Sequence, residues 1–230
     1  MTDPLAFWQT FATEAPQPPP WRDAYPARLP DGRSLLLPIR RLQDGSGLAS
    51  LILNQASFRV EDSLAELLTQ RLQPLKADVV IGVPTLGLSL ARGVAARLGH
   101  RRFAPLGTSR KFWYDPALSV PLGSITSPAA AKRLYLDPRL RPLLEGRRAV
   151  VIDDVISSGR SIQAARDLLT IIGVRPIAVA AAMLQTTRAL PALLEAGLSP
   201  ITVFTSPRLC ETPAGWRPDP EAPQPDPMES

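Results

Sequence analysis

Short apolar segments alternate with helical patterns through most of the sequence, and this alternation limits the chain to few architectures. The segments expected to form buried strands are DVVIGV (78–83), RFAPL (102–106), RAVVID (148–153), PIAVAAAML (176–184) and ITVF (201–204). Helical patterns follow over 86–98, 161–172 and 189–196. Strands of this kind, alternating with helices, form parallel sheets that are covered on both faces. The sequence therefore predicts an α/β fold with ligands bound beyond the carboxyl ends of the strands.

The flanking sequence predicts appended elements around one domain at 31–210. Residues 1–30 are proline-rich and predict an arm, with a short helix from Asp3 to about Glu14. SLLLPI and LASLIL, separated by QDGSG, predict a β-hairpin within 33–53, and 58–72 has helical spacing. The tail at 211–230 combines proline and acidic residues with few aliphatics, which predicts disorder.

Composition excludes several classes of chemistry. Cys210 is the only cysteine and His100 the only histidine, so an internal disulfide, a Cys/His zinc site and a Cys–His dyad are excluded. The sequence has no apolar run of membrane-spanning length and no signal-peptide pattern, so we expect a cytoplasmic protein without a membrane partner. The net charge of +5 suits a nucleic acid or a small phosphorylated substrate, but arginine-rich coding explains it equally well.

Two adjacent carboxylates follow the predicted strand at 149–152. Asp153 and Asp154 are costly to leave unpaired at a buried strand end, so we expect them to bind sugar hydroxyls or a hydrated Mg²⁺. The loop after them is SSGRS, which supplies hydroxyls, a glycine for close backbone approach and the start of a helix. A phosphate fits this loop. The alternative is an ordinary helix N-cap after a strand.

The whole segment VVIDDVISSGRSI at 150–162 resembles the ribose-5-phosphate signature of type I phosphoribosyltransferases. The resemblance implies that Asp153 and Asp154 engage the ribose hydroxyls of 5-phosphoribosyl 1-diphosphate (PRPP), with Mg²⁺ as cofactor. It also implies a 5-phosphate site that consists of Ser157, Ser158, Gly159, Arg160 and Ser161. Ser158 stands where threonine is frequent, and Arg160 stands where glycine or lysine is frequent.

A second segment resembles the diphosphate-binding loop of the same family. Pro84, Thr85, Leu86 and Gly87 lie between a predicted strand and a predicted helix, whose first amides could hold diphosphate oxygens. The glycine spacing also resembles that of a Walker A loop. Leu88, however, stands where that loop has its phosphate-binding lysine, which argues against a nucleoside triphosphatase. A plain strand-to-helix turn is the alternative.

A third segment, GTSRKFWYD at 107–115, resembles the start of the family's flexible loop. Arg110 and Lys111 are the candidate catalytic cations there, and a solvated basic turn is the alternative. The stretch 107–138 shows no clear period, which predicts an irregular mobile lid. The hairpin region 31–56 is the candidate hood, the part that selects the nucleobase in this family.

Together these segments imply a phosphoribosyltransferase that moves ribose 5-phosphate from PRPP to a nucleobase and releases diphosphate. The Arg-Lys pair before aromatic residues favours an adenine-type purine acceptor, while orotate and other pyrimidines stay open. The resemblance also implies a homodimer. The alternative function is a PRPP-sensing regulator that uses the same pocket without turnover and binds RNA or a partner protein.

Overall fold

The computed structural model describes residues 4–122 and 132–223. Its strands are β1 (Phe11–Ala12), β2 (Ala24–Arg28), β3 (Ser34–Arg41), β4 (Gly47–Ala49), β5 (Val79–Gly82), β6 (Ala104–Pro105), β7 (Ser119–Pro121), β8 (Arg133–Tyr135), β9 (Ala149–Ile156), β10 (Ala178–Gln185), β11 (Pro200–Ser206), β12 (Arg208–Thr212) and β13 (Gly215–Pro218). Its α-helices are α1 (Phe58–Leu72), α2 (Gly87–Arg97), α3 (Arg141–Leu144), α4 (Arg160–Ile171) and α5 (Leu190–Glu195).

A five-stranded parallel sheet occupies the centre, in the order β11-β10-β9-β5-β6. All four neighbouring pairs are parallel; Val80 lies opposite Val150, for example, and Ala180 lies opposite Ile152. The α/β prediction is therefore confirmed, and each predicted strand is present, although β6 spans only two residues of RFAPL. The sheet places β9 and β5 side by side, so the loops that follow them are neighbours.

Apolar side chains cover both faces of this sheet. One core cluster joins Val80, Val150 and Ile152 of the sheet to residues of α1 and α2. The other joins Val79, Ile81 and Val151 to residues of α4, because successive residues of a strand point to opposite faces. Helix α1 has the bounds that its spacing predicts, and the Ser57 side chain accepts a hydrogen bond from the amide of Val60 at its start.

The described helices are short. The longest of them, α1, has 15 residues, which rise about 22 Å, whereas the hydrocarbon core of a bilayer measures about 30 Å. Within residues 4–122 and 132–223, then, no helix has the length and apolar character needed to cross a membrane.

A second, antiparallel sheet is formed from both ends of the chain. Its order is β1-β3-β4-β12-β13, with β2 also paired to β3, so the predicted hairpin is present as β3 and β4. The prediction of disorder from Glu211 onwards is wrong for the described part of the tail, which contains the end of β12 and all of β13. Trp216 is the physical reason, since it is 7% exposed and covers the backbone of Gly47. Residues 224–230 lie outside the described residues.

The N-terminal segment also differs from its prediction. In place of a helix as far as Glu14, the structure has a 3-10 turn at Pro4–Ala6 and then β1, whereas Asp3 lies outside the described residues. Trp8 has a φ of 63°, which interrupts any helix, and both Phe7 and Trp8 are buried in the first core cluster. Residues 7–28 are therefore part of the folded body, and the boundary predicted at residue 30 separates two paired strands.

The stretch 107–138 is more regular than its sequence predicts. β7 and β8 pair within it, and Gly107 exchanges backbone hydrogen bonds with Tyr135 at 3.0 and 2.8 Å. Leu118, Leu134 and Leu136 anchor these strands in the second core cluster. The lid prediction also includes residues 123–131, which lie outside the described residues, and motion of the loop stays a prediction.

Replacing Trp216 with alanine tests the contribution of the C-terminal strands. We expect the free energy of unfolding to fall by about 3 kcal/mol, because a large buried aromatic ring is removed. Urea unfolding measures this loss. Leu194→Ala is the control, since that side chain is 56% exposed and its loss should cost under about 0.5 kcal/mol. Equal effects of the two substitutions would contradict the packing described.

Candidate active site

The acidic pair lies at the carboxyl edge of the central sheet. Asp153 and Asp154 are still within β9, which continues to Ile156, so the strand ends later than its apolar run predicts. Asp153 is 7% and Asp154 6% exposed. The amide of Asp154 donates a hydrogen bond of 2.9 Å to Oδ1 of Asp153. Two carboxylates are thus buried in contact in the middle strand of the sheet.

Gly87 brings the second candidate loop against this pair. A Cβ atom on Gly87 would lie 2.7 Å from the Cα and 2.8 Å from the Oδ1 of Asp153. Such distances are too short for carbon, so only glycine lets α2 begin this close to β9. The structure therefore joins the Pro84–Gly87 segment to the acidic pair, as neighbouring parallel strands require.

Burial dominates the electrostatics of the pair. Desolvation raises the pKa of Asp153 well above its usual value, and the neighbouring Asp154 carboxylate raises it further. Desolvation also raises the pKa of Asp154, although hydrogen bonds from Asp153 and from the backbone amides of Val155 and Leu53 lower it again. One proton therefore resides on the pair more readily than on two separate acids, and a cation or sugar hydroxyls would relieve the repulsion.

The SSGRS loop encloses a small cavity directly after the pair. This cavity of about 80 Å³ is lined by Asp153, Val155, Ile156 and every residue from Ser157 to Ile162. Gly159 has a φ of 76°, and a Cβ atom there would lie 3.2 Å from the Cβ of Ala189. Helix α4 starts at Arg160 without a side-chain cap, so the amides of its first turn are available to an anion.

Arg160 folds back over this loop. Its Nε donates a hydrogen bond of 3.3 Å to Oγ of Ser158, and its side chain is exposed. A guanidinium at this place adds positive charge beside the cavity. Ser157, Ser158 and Ser161 are half-buried, so the structure brings the predicted phosphate-binding residues together around one space.

The Pro84–Leu86 segment connects β5 to α2. The peptide bond between Pro84 and Thr85 is cis, Thr85 is exposed, and α2 begins at Gly87 without a side-chain cap. Its free amides thus start beside Asp153. The four predicted residues 84–87 form one turn at the same edge of the sheet as the SSGRS loop.

Arg110 and Lys111 follow β6, the strand next to β5. Both side chains are exposed, and neither makes an ion pair among the residues that the structure describes. The aromatic residues after them lie outside the core: Phe112 is 94% exposed, and Trp113 packs edge-on against Phe112 and Tyr114. The structure thus gives this pair no contact with Asp153 or Asp154.

Three further groups at this edge escape sequence reasoning. The backbone amide of Leu53 lowers the pKa of Asp154, Ala189 packs against Gly159, and Thr186, which follows β10, has a φ of 62°. Neither the backbone amide of Leu53 nor the methyl group of Ala189 belongs to a motif that can be recognised in the sequence. Thr186 gives no sequence signal either, because threonine rarely adopts a left-handed conformation.

Comparison with known families assigns the chain. A model of the phosphoribosyl transferase domain matches residues 52–193, which is more than half of the sequence. The chain belongs to the phosphoribosyl transferase family. The type I resemblance of the 150–162 segment is therefore confirmed.

Curated relatives of this phosphoribosyl transferase chain include several kinds of protein. It is 34% identical to the bifunctional protein PyrR of Streptomyces coelicolor over 128 residues, which cover 55% of this chain and 62% of the relative. It is 32% identical to xanthine phosphoribosyltransferase of Chloroflexus aurantiacus over 117 residues (49% and 52%), and 36% identical to orotate phosphoribosyltransferase of Halorhodospira halophila over 108 residues (46% and 42%). The matches span less than two thirds of each relative.

Solved structures share the fold of this phosphoribosyl transferase chain. Adenine phosphoribosyltransferase of Thermoanaerobacter pseudethanolicus superimposes with a TM-score of 0.58 at 20% identity, over 73% of this chain and 95% of that one. The APRTase of Giardia lamblia has a TM-score of 0.55 at 19% identity, over 73% and 93%. At these identities the likeness establishes the fold.

Gly87→Ala should separate the two loops of the site. The new methyl group cannot fit beside Asp153, so we expect a loss of about 1–3 kcal/mol in stability and a large loss of the thermal stabilisation by PRPP with Mg²⁺. Differential scanning fluorimetry with and without ligand measures both. Ser89→Ala, two residues along α2, is the control that should retain the ligand shift. If PRPP with Mg²⁺ raised the melting temperature of Gly87→Ala as much as that of the wild type, this interpretation would be wrong.

Asp153→Asn should stabilise the ligand-free, metal-free protein at neutral pH. Because burial raises the folded-state pKa above the unfolded value near 3.8, the folded state holds its proton longer, and stability falls as pH rises from about 4 through the raised pKa. Because asparagine does not ionise, the variant does not lose stability over this pH range. The variant should therefore melt a few degrees above wild type at pH 7.5 and lose this advantage near pH 4. A lower melting temperature at pH 7.5 contradicts the argument.

Proposed function

We propose that this protein is a phosphoribosyltransferase that transfers ribose 5-phosphate from PRPP to a nucleobase and releases diphosphate. The observation that carries the proposal is the approach of Gly87 to Asp153. It places a loop with free helix-start amides beside two buried carboxylates, and these lead directly into a second loop around a small cavity. One substrate with a ribose between a phosphate and a diphosphate matches that order of groups.

In this proposal each part of the site binds a different part of PRPP. Asp153 and Asp154 would accept hydrogen bonds from the ribose hydroxyls, while the hydroxyls and amides of Ser157 to Ser161 hold the 5-phosphate. The turn at Pro84–Gly87 would hold the diphosphate through its amides. Arg110 and Lys111 supply positive charge to the departing diphosphate when the 107–138 lid closes and excludes water. The proton that the base loses can pass to a carboxylate of the acidic pair.

The acidic pair also fits Mg²⁺. Hard cations prefer carboxylate oxygens, and Mg²⁺ keeps several waters and binds substrate phosphates instead of an all-protein cage. Asp153 and Asp154 are buried and repel each other, so they gain from a cation, yet no group of three or more potential ligands exists among residues 4–122 and 132–223. When bound with PRPP, the ion would neutralise charge on the diphosphate.

The acceptor in this proposal is a purine, with adenine first. The Arg110–Lys111 pair before Phe112 supports this choice, and the region at 31–56, within the second sheet, is the hood that would contact the base. Xanthine and orotate are the principal competitors, because curated relatives carry those names. We further propose a cytoplasmic homodimer, as the family resemblance implies.

Diphosphate release from PRPP and Mg²⁺ with a panel of bases tests the activity. We expect turnover with adenine above that with guanine, hypoxanthine, xanthine, orotate and uracil. Asp153→Asn combined with Asp154→Asn should lower kcat/KM at least ~100-fold, because two charge-assisted hydrogen bonds to ribose are lost. Asp167→Asn is the matched control, an exposed acid on α4 whose loss should change little.

Two outcomes would redirect the proposal. PRPP binding without release of diphosphate on any base would favour the PRPP-sensing regulator. Fastest turnover on another base would keep the reaction and replace adenine as the acceptor.

A further inference from the structure

We propose that the edge of the central sheet where its strands begin binds a strand of RNA through the phosphates. This surface, here called the basic edge, consists of six exposed cationic side chains in the loops that lead into β5, β6, β9 and β10: Lys76, Arg101, Arg102, Arg147, Arg148 and Arg175. It lies at the end of the sheet opposite to Asp153 and Asp154, so the inference goes beyond the proposed function and does not depend on it.

Hydrogen bonds join three of these loops. Between the loops before β9 and β5, a guanidinium nitrogen of Arg148 donates to the carbonyl of Leu75 at 2.9 Å, and the amide of Asp78 donates to the carbonyl of Arg148 at 2.9 Å. The loop before β10 joins them, because the amide of Ile177 donates to the carbonyl of Ala149 at 2.8 Å. The arginines of these loops therefore belong to one continuous surface.

The loop before β6 is attached to the same surface through His100. Its Nε2 donates to the carbonyl of Ala77, in the loop before β5, at 2.9 Å. The four strands are consecutive in the sheet, in the order β10-β9-β5-β6. Since neighbouring strands lie about 4.8 Å apart, the row of loops is about 14 Å long. The six cations are thus held in a row across the sheet.

The basic edge has more positive charge than its own loops neutralise. The four loops, 73–78, 98–103, 145–148 and 172–177, contain two acids, Asp78 and Glu145. Oδ2 of Asp78 accepts a hydrogen bond from the backbone amide of Arg148, and Glu145 forms an ion pair with Arg141 on α3. Within residues 4–122 and 132–223, none of the six cations forms an ion pair. Their charge is therefore available to a partner.

Stabilisation of helix ends accounts for only part of this charge. Helices α1 to α4 all end at this edge, and a cation near a helix C-terminus is favourable. Arg148 has this role, because it binds the carbonyl of Leu75 just after α1. The side chains of the other five cations have no hydrogen-bond partner in the part of the chain that the structure describes. Five cations in a row are thus left without an internal role.

A nucleic-acid strand matches this row of charges. Five of the six cations are arginines, whose guanidinium groups bind phosphate oxygens in pairs. A row about 14 Å long spans about four phosphates of one strand, at about 3.4 Å each. A basic face on a chain of net charge +5 is typical of nucleic-acid binding. We take RNA as the source of the strand, because single strands in cells are chiefly RNA.

An anionic membrane is the competing partner. Ile171 and Ile177, which lie close in sequence to Arg175, are 48% and 36% exposed and could contact lipid. They lie at the β10 end of the row, whereas the cations continue past β9 and β5 to β6. A long row of cations with apolar side chains at one end fits a strand of phosphates better than a membrane surface.

Fluorescence anisotropy with a labelled oligouridylate of about 20 nucleotides tests the surface in the full chain. Arg102→Gln, Arg147→Gln and Arg175→Gln, combined in one variant, remove a cation from each of three loops. At about 0.1 M salt we expect the Kd to rise about 100-fold, because each lost phosphate contact lowers the affinity about fivefold at that concentration. The slope of log Kd against log salt should fall by about 2, since each contact contributes about 0.7.

A matched variant separates this surface from net charge. Arg22→Gln, Arg28→Gln and Arg217→Gln, combined, remove the same charge from exposed arginines in or next to the second sheet. None of these three forms an ion pair within residues 4–122 and 132–223. The Kd for RNA should stay within about threefold of wild type, because charges more than about 10 Å away are screened at this salt concentration.

The results decide between RNA, net charge and a membrane. Equal loss of RNA affinity in both triple variants, or no RNA binding by the wild type, would overturn the inference. Binding to vesicles that contain phosphatidylserine, without binding to RNA, would assign the surface to a membrane and overturn it too. A DNA strand of the same length should bind no more tightly than RNA, and a tenfold tighter DNA complex would exclude RNA as the partner.

Two further measurements keep the test independent of folding and of the proposed function. If the triple variant of the basic edge does not fold, Arg147→Gln alone decides, with an expected rise in Kd of about fivefold and an unchanged Kd as the contrary result. Release of diphosphate from PRPP should be unchanged in the folded variant, because its three positions lie at the opposite edge from Asp153. Absence of that activity in the wild type would contradict the proposed function and leave the RNA inference standing.

Discussion

Two carboxylates buried side by side in the central strand of a parallel sheet are the constraint on which the site depends. Burial raises the pKa of both Asp153 and Asp154, the neighbouring Asp154 raises that of Asp153 further, and a ligand at the carboxyl edge of the sheet could compensate this cost. The close start of α2 at Gly87 and the glycine turn at Gly159 both lie at that edge. A ligand that supplies a cation or hydrogen-bond donors would therefore compensate the cost of burying these two carboxylates.

The central fold could be predicted from the sequence because its signals are local. Buried strands have continuous apolar runs, and α1 has a single apolar stripe, so the period alone gives the bounds Phe58–Leu72. The loops at the carboxyl edge follow from the parallel arrangement, and Asp153, Gly87 and Gly159 could be predicted as neighbours from that rule.

The rest could not be predicted because it depends on contacts between distant residues. Nothing in the sequence near Trp216 shows that its ring covers Gly47, so the proline-rich tail was predicted to be disordered although its first residues, up to Pro218, form strands. In the same way, Trp8 adopts its left-handed conformation through bonds to residues 50 and 57. Leu53 lowers the pKa of Asp154 only through its backbone amide, and a backbone amide is the same in every residue but proline.

The antiparallel sheet has a consequence for how the molecule forms. β4 pairs with β12, which places Leu48 opposite Arg208, and Trp21 exchanges backbone hydrogen bonds with Trp216 at 2.7 and 2.6 Å. The strands from the early part of the chain therefore pair with strands that are synthesised only after the whole central sheet. Until then β4 has an open edge able to pair with another chain. Contacts of such long sequence separation close slowly, so we expect this sheet to assemble after the central sheet and to be more exposed to aggregation during synthesis.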